Sequence, residues 1–456
     1  MPSADRDAAF MAAPAPAAQR GGPEADALFG GAERDALRGL GGGDRLHGLG
    51  GSDRLFGGDG EDRLQGGAGR DSLSGGPGAD RLRGGAGTDR LDGGEGDDRL
   101  YGGGGRRDVL MGGAGDDLLS ASGRGAAFLP GLGRDVVVAG AGDGALSYAG
   151  LDLAVRVDLA LGVARGEGLR DSLVGIASVL GAAGDDRLRG GGGAEWEGFA
   201  GGPGADLIVG RGGYDAVLYH LENGPSGVQV DLEAGEARDS FGDRDRLRGI
   251  EEVSGTLLDD RLSGGAQPFE SWRGFAGADR IDGRGGADRA DYLRDAALGG
   301  KAGVRADLAR GWARDGWGDR DRLIDIESLR GGPADDVMQG DDADNRLQGE
   351  GGDDRLEGRG GRDRIEGGEG DDRLLGGFGR DVFVHVSGDG SDRVFDFRPG
   401  RDKLRLEGQS AEALHELRWT DRPAGARLRL DDGERLRFDG LRAEDFSAED
   451  VWLIEG

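Results

Sequence analysis

From Gly21 onward, single apolar residues recur every nine positions and are separated by glycine and polar residues. Five consecutive units that begin at Gly57 read GGDGEDRLQ, GGAGRDSLS, GGPGADRLR, GGAGTDRLD and GGEGDDRLY, which gives the pattern Gly-Gly-x-Gly-x-Asp-x-Leu-x. The nine-residue frame runs without a gap to Tyr101, and a second block begins at Gly349. A fixed period of this kind predicts a repeat architecture rather than one thick hydrophobic core.

Each nine-residue unit predicts one tight turn and one short strand. Three glycines in four positions allow left-handed backbone conformations and therefore a tight turn. The last three positions alternate polar, apolar and polar, as in Arg63-Leu64-Gln65, which predicts a strand with one inward side chain. A unit that buries one leucine is stable only when it stacks on its neighbours, so we predict an internal leucine ladder. Its members would be Leu46, Leu55, Leu64, Leu73, Leu82, Leu91 and Leu100.

The same stacking would bring the aspartates of position six close to one another. Carboxylates at the strand spacing of about 4.8 Å repel and are destabilising. Ca²⁺ would remove this repulsion, because it binds about six to eight oxygen atoms, and glycine turns supply carbonyl oxygens beside the carboxylates. Neither one turn nor one aspartate supplies enough oxygens, so we predict several calcium sites shared between stacked turns. The candidate ligands are Asp44, Asp53, Asp62, Asp71, Asp80, Asp89, Asp98, Asp108, Asp117, Asp186, Asp206, Asp215, Asp260, Asp279, Asp288, Asp336, Asp354, Asp363, Asp372 and Asp381, with Gly57, Gly66, Gly75, Gly84, Gly93, Gly367 and Gly376.

The nonapeptide resembles the RTX, or haemolysin-type calcium-binding, repeat. The resemblance implies an all-β fold, a right-handed parallel β-roll or β-solenoid in which two nonapeptides make one turn. It also implies calcium ions held between successive turns by the position-six carboxylates and the glycine-loop carbonyls. The first two units depart from the pattern, because Glu24 and Glu33 replace the third glycine. We therefore expect weaker calcium binding near Asp26 and Asp35.

The middle of the chain has a longer period of about 75 residues. Asp158 lies in a Val-Arg-Val-Asp-Leu segment whose counterparts contain Asp231 and Asp307, and Trp196 has its counterpart in Trp272. We predict three super-repeats that form wider coils of the same solenoid. The two tryptophans could form a stacking platform for a sugar, but packing at a coil corner is the favoured interpretation. The same holds for the super-repeat tyrosines Tyr148, Tyr219 and Tyr292.

The C-terminal region predicts a cap. Residues 428–438 read as an antiparallel hairpin around an Asp-Asp-Gly turn, and residues 383–404 resemble the exit from the β-roll in serralysin-type proteins. Residues 443–454 are acidic and then apolar, which is similar to type I secretion signals. The predicted organisation is a disordered tail (1–20), a first RTX block (21–144), the three super-repeats (145–348), a second RTX block (349–398), and a C-terminal antiparallel β cap with the secretion signal (399–456).

Composition excludes several classes of protein. The chain has 100 glycines in 456 residues, but only 12 prolines and no third-residue period, so it is not a collagen. The formal charge of −30 argues against a nucleic-acid partner. No apolar run is long enough for a transmembrane segment. The chain has no cysteine, and its first residues lack the basic and apolar regions of an N-terminal signal peptide.

No motif in the sequence indicates catalysis. The four histidines, His47, His220, His385 and His415, are far apart, and the zincin-like start at His415 lacks its second histidine. We therefore expect no enzymatic activity. Two alternatives to calcium remain open at this point. Position-seven arginines could neutralise the aspartates, or the glycine loops could bind anions through their N–H groups.

The sequence thus predicts an extracellular calcium-binding repeat protein, exported by the type I apparatus, that folds on binding Ca²⁺ outside the cell. The expected role is structural or adhesive, at the cell surface or in the extracellular matrix, with a possible glycan or cell-surface partner. The alternative is a polysaccharide-binding or polysaccharide-acting extracellular protein that uses the central super-repeats.

Overall fold

The structure is a computed structural model that describes residues 18–408, 418–422, 425–430, 434–447 and 449–454. The chain divides into two compact units, Met1–Asp215 and Ala216–Gly456. Each unit is built almost entirely of short strands, and both belong to the predicted all-β parallel solenoid class.

Strands of the first unit pair in parallel with strands two nonapeptides away. Arg63 pairs with Arg81 and Leu64 with Leu82, an offset of 18 residues. Successive strands alternate between two sheets, so one coil contains two nonapeptides, as the resemblance implied. The strands of one sheet are Gln19–Arg20, Ala36–Gly41, Arg54–Asp59, Ser72–Pro77, Arg90–Glu95, Val109–Ala114, Ala127–Leu132, Gly144–Ser147, Ile176–Leu180 and Trp196–Ala200.

The second sheet of this unit contains the alternate strands. They are Ala27–Phe29, Arg45–Gly50, Arg63–Ala68, Arg81–Ala86, Arg99–Gly103, Leu118–Ala121, Val136–Ala139, Arg156–Asp158, Val163–Gly166, Leu169–Val174, Arg187–Arg189 and Leu207–Val209. The strand Tyr214–Leu218 runs from the end of the first unit into the second.

The strands are longer than the three residues that the alternation predicted. Arg63–Ala68 continues through the first three positions of the following turn, and Gly67 pairs with Gly85 of the next coil. The reason is that the loop backbone also needs hydrogen-bond partners, and the stacked loop supplies them. Most of each nonapeptide therefore belongs to the parallel ladder.

The leucines form two ladders instead of the single one that was predicted. Because a coil contains two nonapeptides, leucines nine residues apart lie in different sheets. One ladder contains Leu46, Leu64, Leu82 and Leu100, and the other contains Leu37, Leu55, Leu73 and Leu91. All eight side chains are buried.

Glycine is required where stacked turns approach each other closely. Gly58 and Gly60 have φ angles of +113° and +134°, in the left-handed region that favours glycine. A side chain at Gly58 would overlap the carbonyl oxygen of Leu40 in the preceding coil, and one at Gly60 would overlap that of Gly42. The glycines at positions two and four of the motif therefore set the stacking distance.

The predicted wider coils contain inserted antiparallel hairpins. In the first unit, Val163–Gly166 pairs antiparallel with both Arg156–Asp158 and Leu169–Val174. Arg156–Asp158 also pairs in parallel with Arg187–Arg189 and so stays in the solenoid ladder. Each super-repeat therefore contains one coil that is widened by an inserted hairpin.

The second unit repeats this arrangement and then returns to nonapeptide coils, with Arg346 paired with Arg364. One sheet contains Glu252–Ser254, Ser271–Arg273, Arg289–Asp291, Ser328–Arg330, Arg346–Gly351, Arg364–Glu369, Val382–Val386, Lys403–Glu407 and Val451–Ile454. The other contains Gln229–Asp231, Glu236–Arg238, Arg244–Arg248, Arg261–Ser263, Arg280–Asp282, Arg305–Asp307, Trp312–Arg314, Arg320–Ile324, Val337–Gln339, Arg355–Glu357, Arg373–Leu375, Arg393–Val394, Arg418–Arg422, Gly425–Arg429 and Arg435–Asp439. Gly360–Gly361 pairs with Phe378–Gly379.

The described part of the C-terminal region contains the predicted antiparallel hairpin. Gly425–Arg429 pairs antiparallel with Arg435–Asp439, whereas the predicted turn at 431–433 lies outside the described residues. Phe397, Trp419, Phe438 and Phe446 pack as an aromatic cluster. The short helices are Tyr219–Leu221, Asp295–Leu298 and Ala443–Asp445, and no helix in the described residues is long and apolar enough to cross a membrane.

We predict that Leu82→Ala destabilises the calcium-loaded protein by about 2–5 kcal/mol, because the fully buried side chain leaves a cavity between two coils. Gln65→Ala, at an exposed position of the adjacent strand, is the matched control and should change stability by less than about 0.5 kcal/mol. Denaturant unfolding measures both. Equal effects of the two substitutions would contradict the assignment of the leucine ladder as the core.

Candidate metal centre

The position-six aspartates form hydrogen-bonded ladders along the stacked coils. The backbone N–H of Asp62 donates to Oδ1 of Asp80 over 2.7 Å, and that of Asp80 donates to Oδ1 of Asp98 over 2.8 Å. Thus one oxygen of each carboxylate holds the register of the coil before it. The same bond recurs from Asp44, Asp98 and Asp117 in this ladder and from Asp35, Asp53, Asp71 and Asp89 in the second.

The other carboxylate oxygen, Oδ2, has no hydrogen-bond partner in many of these turns. A buried polar atom without a partner carries a desolvation cost of about 1–3 kcal/mol, and more if it is charged. Because the same oxygen lacks a partner in turn after turn, we infer that a group outside the protein chain binds these oxygens. The turns concerned contain Asp44, Asp53, Asp62, Asp71, Asp80, Asp89, Asp98, Asp108, Asp117, Asp135, Asp279, Asp288, Asp354, Asp363 and Asp372.

At several of these turns, the unpartnered Oδ2 faces a small space that it shares with a backbone carbonyl. A side chain at Gly57 would overlap both Oδ2 of Asp62 and the carbonyl oxygen of Gly75 in the next coil. A carboxylate oxygen and a carbonyl oxygen therefore point into one volume that only glycine leaves open. The predicted glycines Gly75, Gly84 and Gly93 share this geometry, as does Gly349, which was not predicted as a ligand. At Gly66, Gly367 and Gly376 the overlap is with the aspartate of the same turn.

Burial raises the pKa values of these carboxyl groups. Desolvation, with a further contribution from the charges of Asp117 and Asp80, raises the pKa of Asp98 to about 7. Desolvation followed by the charges of neighbouring aspartates raises the pKa of Asp354 to about 9. The ionised ladder is therefore unfavourable without a compensating cation.

The donor set fits Ca²⁺. The described residues contain no group of three or more His, Asp or Glu side chains that could hold a metal ion by themselves. An ion at the ladder therefore needs backbone carbonyls as well as carboxylates, and a set made entirely of oxygen atoms suits a hard cation such as Ca²⁺.

The comparison with known families decides the assignment. The sequence model of the family described as "RTX calcium-binding nonapeptide repeat (4 copies)" matches overlapping stretches within residues 20–123, 175–196, 273–291 and 330–383. These stretches of the chain are RTX calcium-binding nonapeptide repeats. Their RTX turns are the glycine turns whose aspartates form the ladders. No curated protein matches the chain in sequence.

Among solved structures, 34 chains match. The AlgE6R3 subunit of the Azotobacter vinelandii mannuronan C5-epimerase is 25% identical, with 26% of this chain and 77% of that chain covered and a TM-score of 0.22. The extracellular lipase LipA from Serratia marcescens is 14% identical, with 70% of this chain and 45% of that chain covered and a TM-score of 0.25. TM-scores this low carry no conclusion about function.

The position-seven arginines do not neutralise the ladder. Arg63, Arg81 and Arg99 follow ladder aspartates directly but are exposed, whereas the aspartates are buried. Neighbouring residues in a strand point to opposite faces, so the two charges are directed apart. Since Oδ2 of these aspartates accepts no hydrogen bond among the described residues, charge balance by arginine does not account for the ladder.

Two conformations of the RTX turn can be distinguished. In what we call an open turn, positions two and four are left-handed, as at Gly58 and Gly60, and the aspartate Oδ2 is available. In what we call a self-capped turn, the N–H of position two donates to the carboxylate. Gly22 donates to Asp26 Oδ2 over 2.6 Å. Gly31 bonds Asp35 in the same way.

Self-capped turns occur where the motif is degenerate. The N–H groups of Ala182, Thr256 and Gly332 donate to Oδ2 of Asp186, Asp260 and Asp336 over 2.6, 2.6 and 2.8 Å. Their Oδ1 atoms also accept backbone N–H groups, from Val155, Val228 and Val304. Both carboxylate oxygens of these three predicted ligands thus already accept hydrogen bonds from the chain, in contrast to Asp62 and Asp80, whose Oδ2 accepts none among the described residues.

The turns of Asp206 and Asp215 have left-handed residues at positions that are also left-handed in the open turns. Asp206 and Asp215 are buried, and their turns contain left-handed residues at Gly202, Gly204 and Gly213. Asp381 differs from both classes because Arg398 contacts its Oδ2.

Asp135 has the ladder geometry, but the sequence analysis did not select it. Its Oδ2 is buried without a partner, and its Oδ1 accepts the N–H of Asp117 over 2.8 Å. Pro130 occupies the place of the first glycine, so the turn does not match the full motif. The later signal Gly-x-Gly-x-Asp at residues 131–135 would have revealed it.

The super-repeat tyrosines are buried, which confirms the packing interpretation. Their hydroxyl groups also satisfy aspartates that the sequence analysis missed. Tyr148 bonds Asp171 Oδ2 over 2.6 Å, and the other two pairs, each at 3.1 Å, are Tyr219 with Asp245 and Tyr292 with Asp321.

The aromatic platform and the histidines do not form a site. Trp272 is buried, whereas Trp196 is half-buried. His220 packs against Phe275, and desolvation lowers its pKa to about 4. His415 lies outside the described residues.

We predict that the calcium-free protein loses stability as the pH rises from about 4 to about 9. The folded-state pKa values, about 7 for Asp98 and about 9 for Asp354, exceed the ordinary value near 4, so folding takes up protons and stability falls with pH. Asp98→Asn should make the pH dependence of the unfolding free energy shallower, whereas Asp97→Asn, at its exposed neighbour, removes the same charge and should leave the slope nearly unchanged. Denaturant titrations at the acidic pH values where the calcium-free protein is still folded measure this. A stability that increases with pH would contradict the assignment.

Proposed function

We propose that the protein is a secreted calcium-binding RTX repeat protein that folds into its solenoid when Ca²⁺ binds outside the cell. We further propose that it has a structural or adhesive role at the cell surface or in the extracellular matrix. The observation that supports this proposal is the buried, unpartnered Oδ2 repeated in the open turns. Metal binding to such turns contributes directly to the free energy of folding.

In this proposal, each residue of an open turn has its own structural role. Oδ1 of Asp80 accepts the N–H of Asp62 and fixes the register of the two coils. Oδ2 of Asp62 and the carbonyl of Gly75 are the oxygens that would hold the ion. When bound, calcium supplies the positive charge that offsets the repulsion between carboxylates. Gly57 leaves the necessary space because it has no side chain.

Export before folding is part of the same proposal. In a cell interior poor in calcium, the ionised ladder favours the open chain, and the type I apparatus would receive an unfolded substrate. In the folded protein, the apolar segment Val451–Ile454 pairs in parallel with Lys403–Glu407. The type I apparatus would therefore have to recognise a secretion signal in this segment before that strand forms.

A structural or adhesive role is supported by the outward faces of the strands. Arg45, Arg63, Arg81 and Arg99 are exposed and aligned in register along one sheet, so the face carries a regular row of charge. The polysaccharide alternative depended on Trp196 and Trp272 as a platform, and the burial of Trp272 does not favour it.

We predict that far-UV circular dichroism shows little β structure in chelator and a cooperative gain of β signal with millimolar Ca²⁺, but not with Mg²⁺. Mg²⁺ is smaller, requires near-octahedral geometry and gives up its waters reluctantly. A full β spectrum in chelator at pH 8 would contradict the proposal.

Two substitutions test which turns are responsible. Asp80→Asn, in an open turn, should shift the calcium midpoint upward several-fold, because one anionic ligand is lost. Asp26→Asn, in a self-capped turn, is the matched control and should leave the midpoint nearly unchanged, because the amide oxygen can still accept the N–H of Gly22. Equal shifts for the two variants would contradict the distinction.

The structural role is tested by association in calcium. Light scattering should show calcium-dependent self-assembly that weakens with added salt and in an Arg45/Arg63/Arg81/Arg99→Gln variant. Saturable binding to polysaccharides on a glycan array, without self-assembly, would contradict the structural proposal and support the polysaccharide alternative.

A further inference from the structure

The turn Gly376–Asp381 has the backbone of an open turn but contains a side chain from elsewhere in the chain. Gly377 and Gly379 are left-handed, with φ angles of +88° and +152°. Asp381 Oδ1 accepts the N–H of Asp363 over 3.1 Å, as in the other ladder turns. By backbone conformation this turn belongs with those that contain Asp363 and Asp372.

The guanidinium group of Arg398 lies inside this turn. Its Nη2 donates to the carbonyl oxygen of Gly377, lies 3.4 Å from that of Gly379, and is 3.3 Å from Asp381 Oδ2. A carboxylate oxygen and loop carbonyls are the same kinds of ligand that an ion would need in an open turn. Arg398 is therefore bound by the oxygens of the turn in the manner of a cation.

Arg398 is held in this position from its other side. Asp402 is fully buried, and its Oδ2 accepts the backbone N–H of Arg398 over 2.8 Å and lies 3.4 Å from Nε. Asp402 Oδ1 accepts the N–H of Asp381 over 3.2 Å, so Asp402 continues the ladder. The arginine thus lies between the last two carboxylates of that ladder in the described residues.

An ion and this guanidinium group exclude each other. Arginine is always protonated, and its N–H groups point at the oxygens that an ion would bind. Two positive charges this close together inside the protein repel each other. The short chain distance from Asp381 to Arg398 and the anchoring by Asp402 keep the arginine in place.

We propose that Arg398 is a cation built into the chain that occupies the metal position of the turn Gly376–Asp381, so that this turn binds no calcium. The inference rests on the proposed calcium function of the other open turns. It changes the expectation for Asp381, which would pair with arginine and not with an ion. The carbonyl of Gly376 remains available to the turn before it, because a side chain at Gly358 would overlap that oxygen and Asp363 Oδ2.

The other ladder ends in a similar way. Asp372 donates its N–H to Asp392 Oδ1 over 3.2 Å, and Asp392 Oδ2 lies 2.9 Å from Nδ1 of the buried His385. Nε2 of His385 lies 3.1 Å from Glu434 Oε2. In both ladders, the outermost described carboxylate reaches a nitrogen atom of a side chain, whereas the carboxylates of Asp363 and Asp372 do not.

Native mass spectrometry in calcium tests the proposal by counting bound ions on the full chain. Asp381→Asn should leave the ion count equal to that of the wild-type protein, because no ion contacts Asp381. Asp363→Asn, the matched substitution one coil earlier in the same ladder, should lose at least one ion. A loss of one ion in Asp381→Asn would overturn the proposal.

The converse substitution creates a site. Arg398→Gln should bind one more calcium ion than the wild-type protein, because the turn regains an open volume with an anionic ligand. Arg380→Gln, an exposed arginine of the same turn, is the control and should leave the count unchanged. An unchanged or lower count in Arg398→Gln, in protein that circular dichroism shows to be folded in calcium, would overturn the proposal.

The two proposals fail in different ways. If the wild-type protein binds no calcium at all, the proposed function is wrong. If it binds calcium but Asp381→Asn behaves like Asp363→Asn, only the assignment of Arg398 is wrong. Should Arg398→Gln fail to fold, the comparison of Asp381→Asn with Asp363→Asn still decides the question.

Discussion

The stability of the fold depends on which group with a positive charge or partial charge binds each buried carboxylate. Every coil buries aspartates in register with those of the coils above and below, and one oxygen of each holds the neighbouring coil through its N–H group. This bond gives the ladder its geometry, but it also forces like charges to stack at strand spacing. The second oxygen is therefore the point at which the fold is incomplete without a partner.

The chain satisfies this second oxygen in more than one way. In self-capped turns, such as that of Asp186, a backbone N–H group is the donor. In the super-repeats a tyrosine hydroxyl bonds the aspartate, as in the pair of Tyr148 and Asp171. We infer that Ca²⁺ is the partner in the open turns and that Arg398 is the partner in one of them. Calcium dependence would then vary along the chain with the type of partner.

Much of the fold and of the candidate calcium sites could be predicted from the sequence, because the nine-residue period is strict. Gly-Gly-x-Gly-x-Asp-x-Leu-x determines the turn, the strand, the inward leucine and the inward aspartate within each nine residues. The separation into two ladders could not be seen in one unit, since it depends on the 18-residue pairing of coils. The self-caps at Asp186, Asp260 and Asp336 were also missed: the degenerate motif of these turns is visible in the sequence, but the hydrogen bond from position two to the carboxylate is not. Arg398 was missed because the bonds that place it come from Asp402 and from the fold of the cap.

The most direct test of the central claim is a crystal structure of the protein grown in calcium, with anomalous scattering used to identify the ions. The account predicts Ca²⁺ peaks between successive coils, each bound by Oδ2 of an open-turn aspartate and by glycine carbonyls, with none beside Asp26 or Asp186. Empty spaces between the open turns under saturating calcium, or ions bound equally at the self-capped turns, would contradict it.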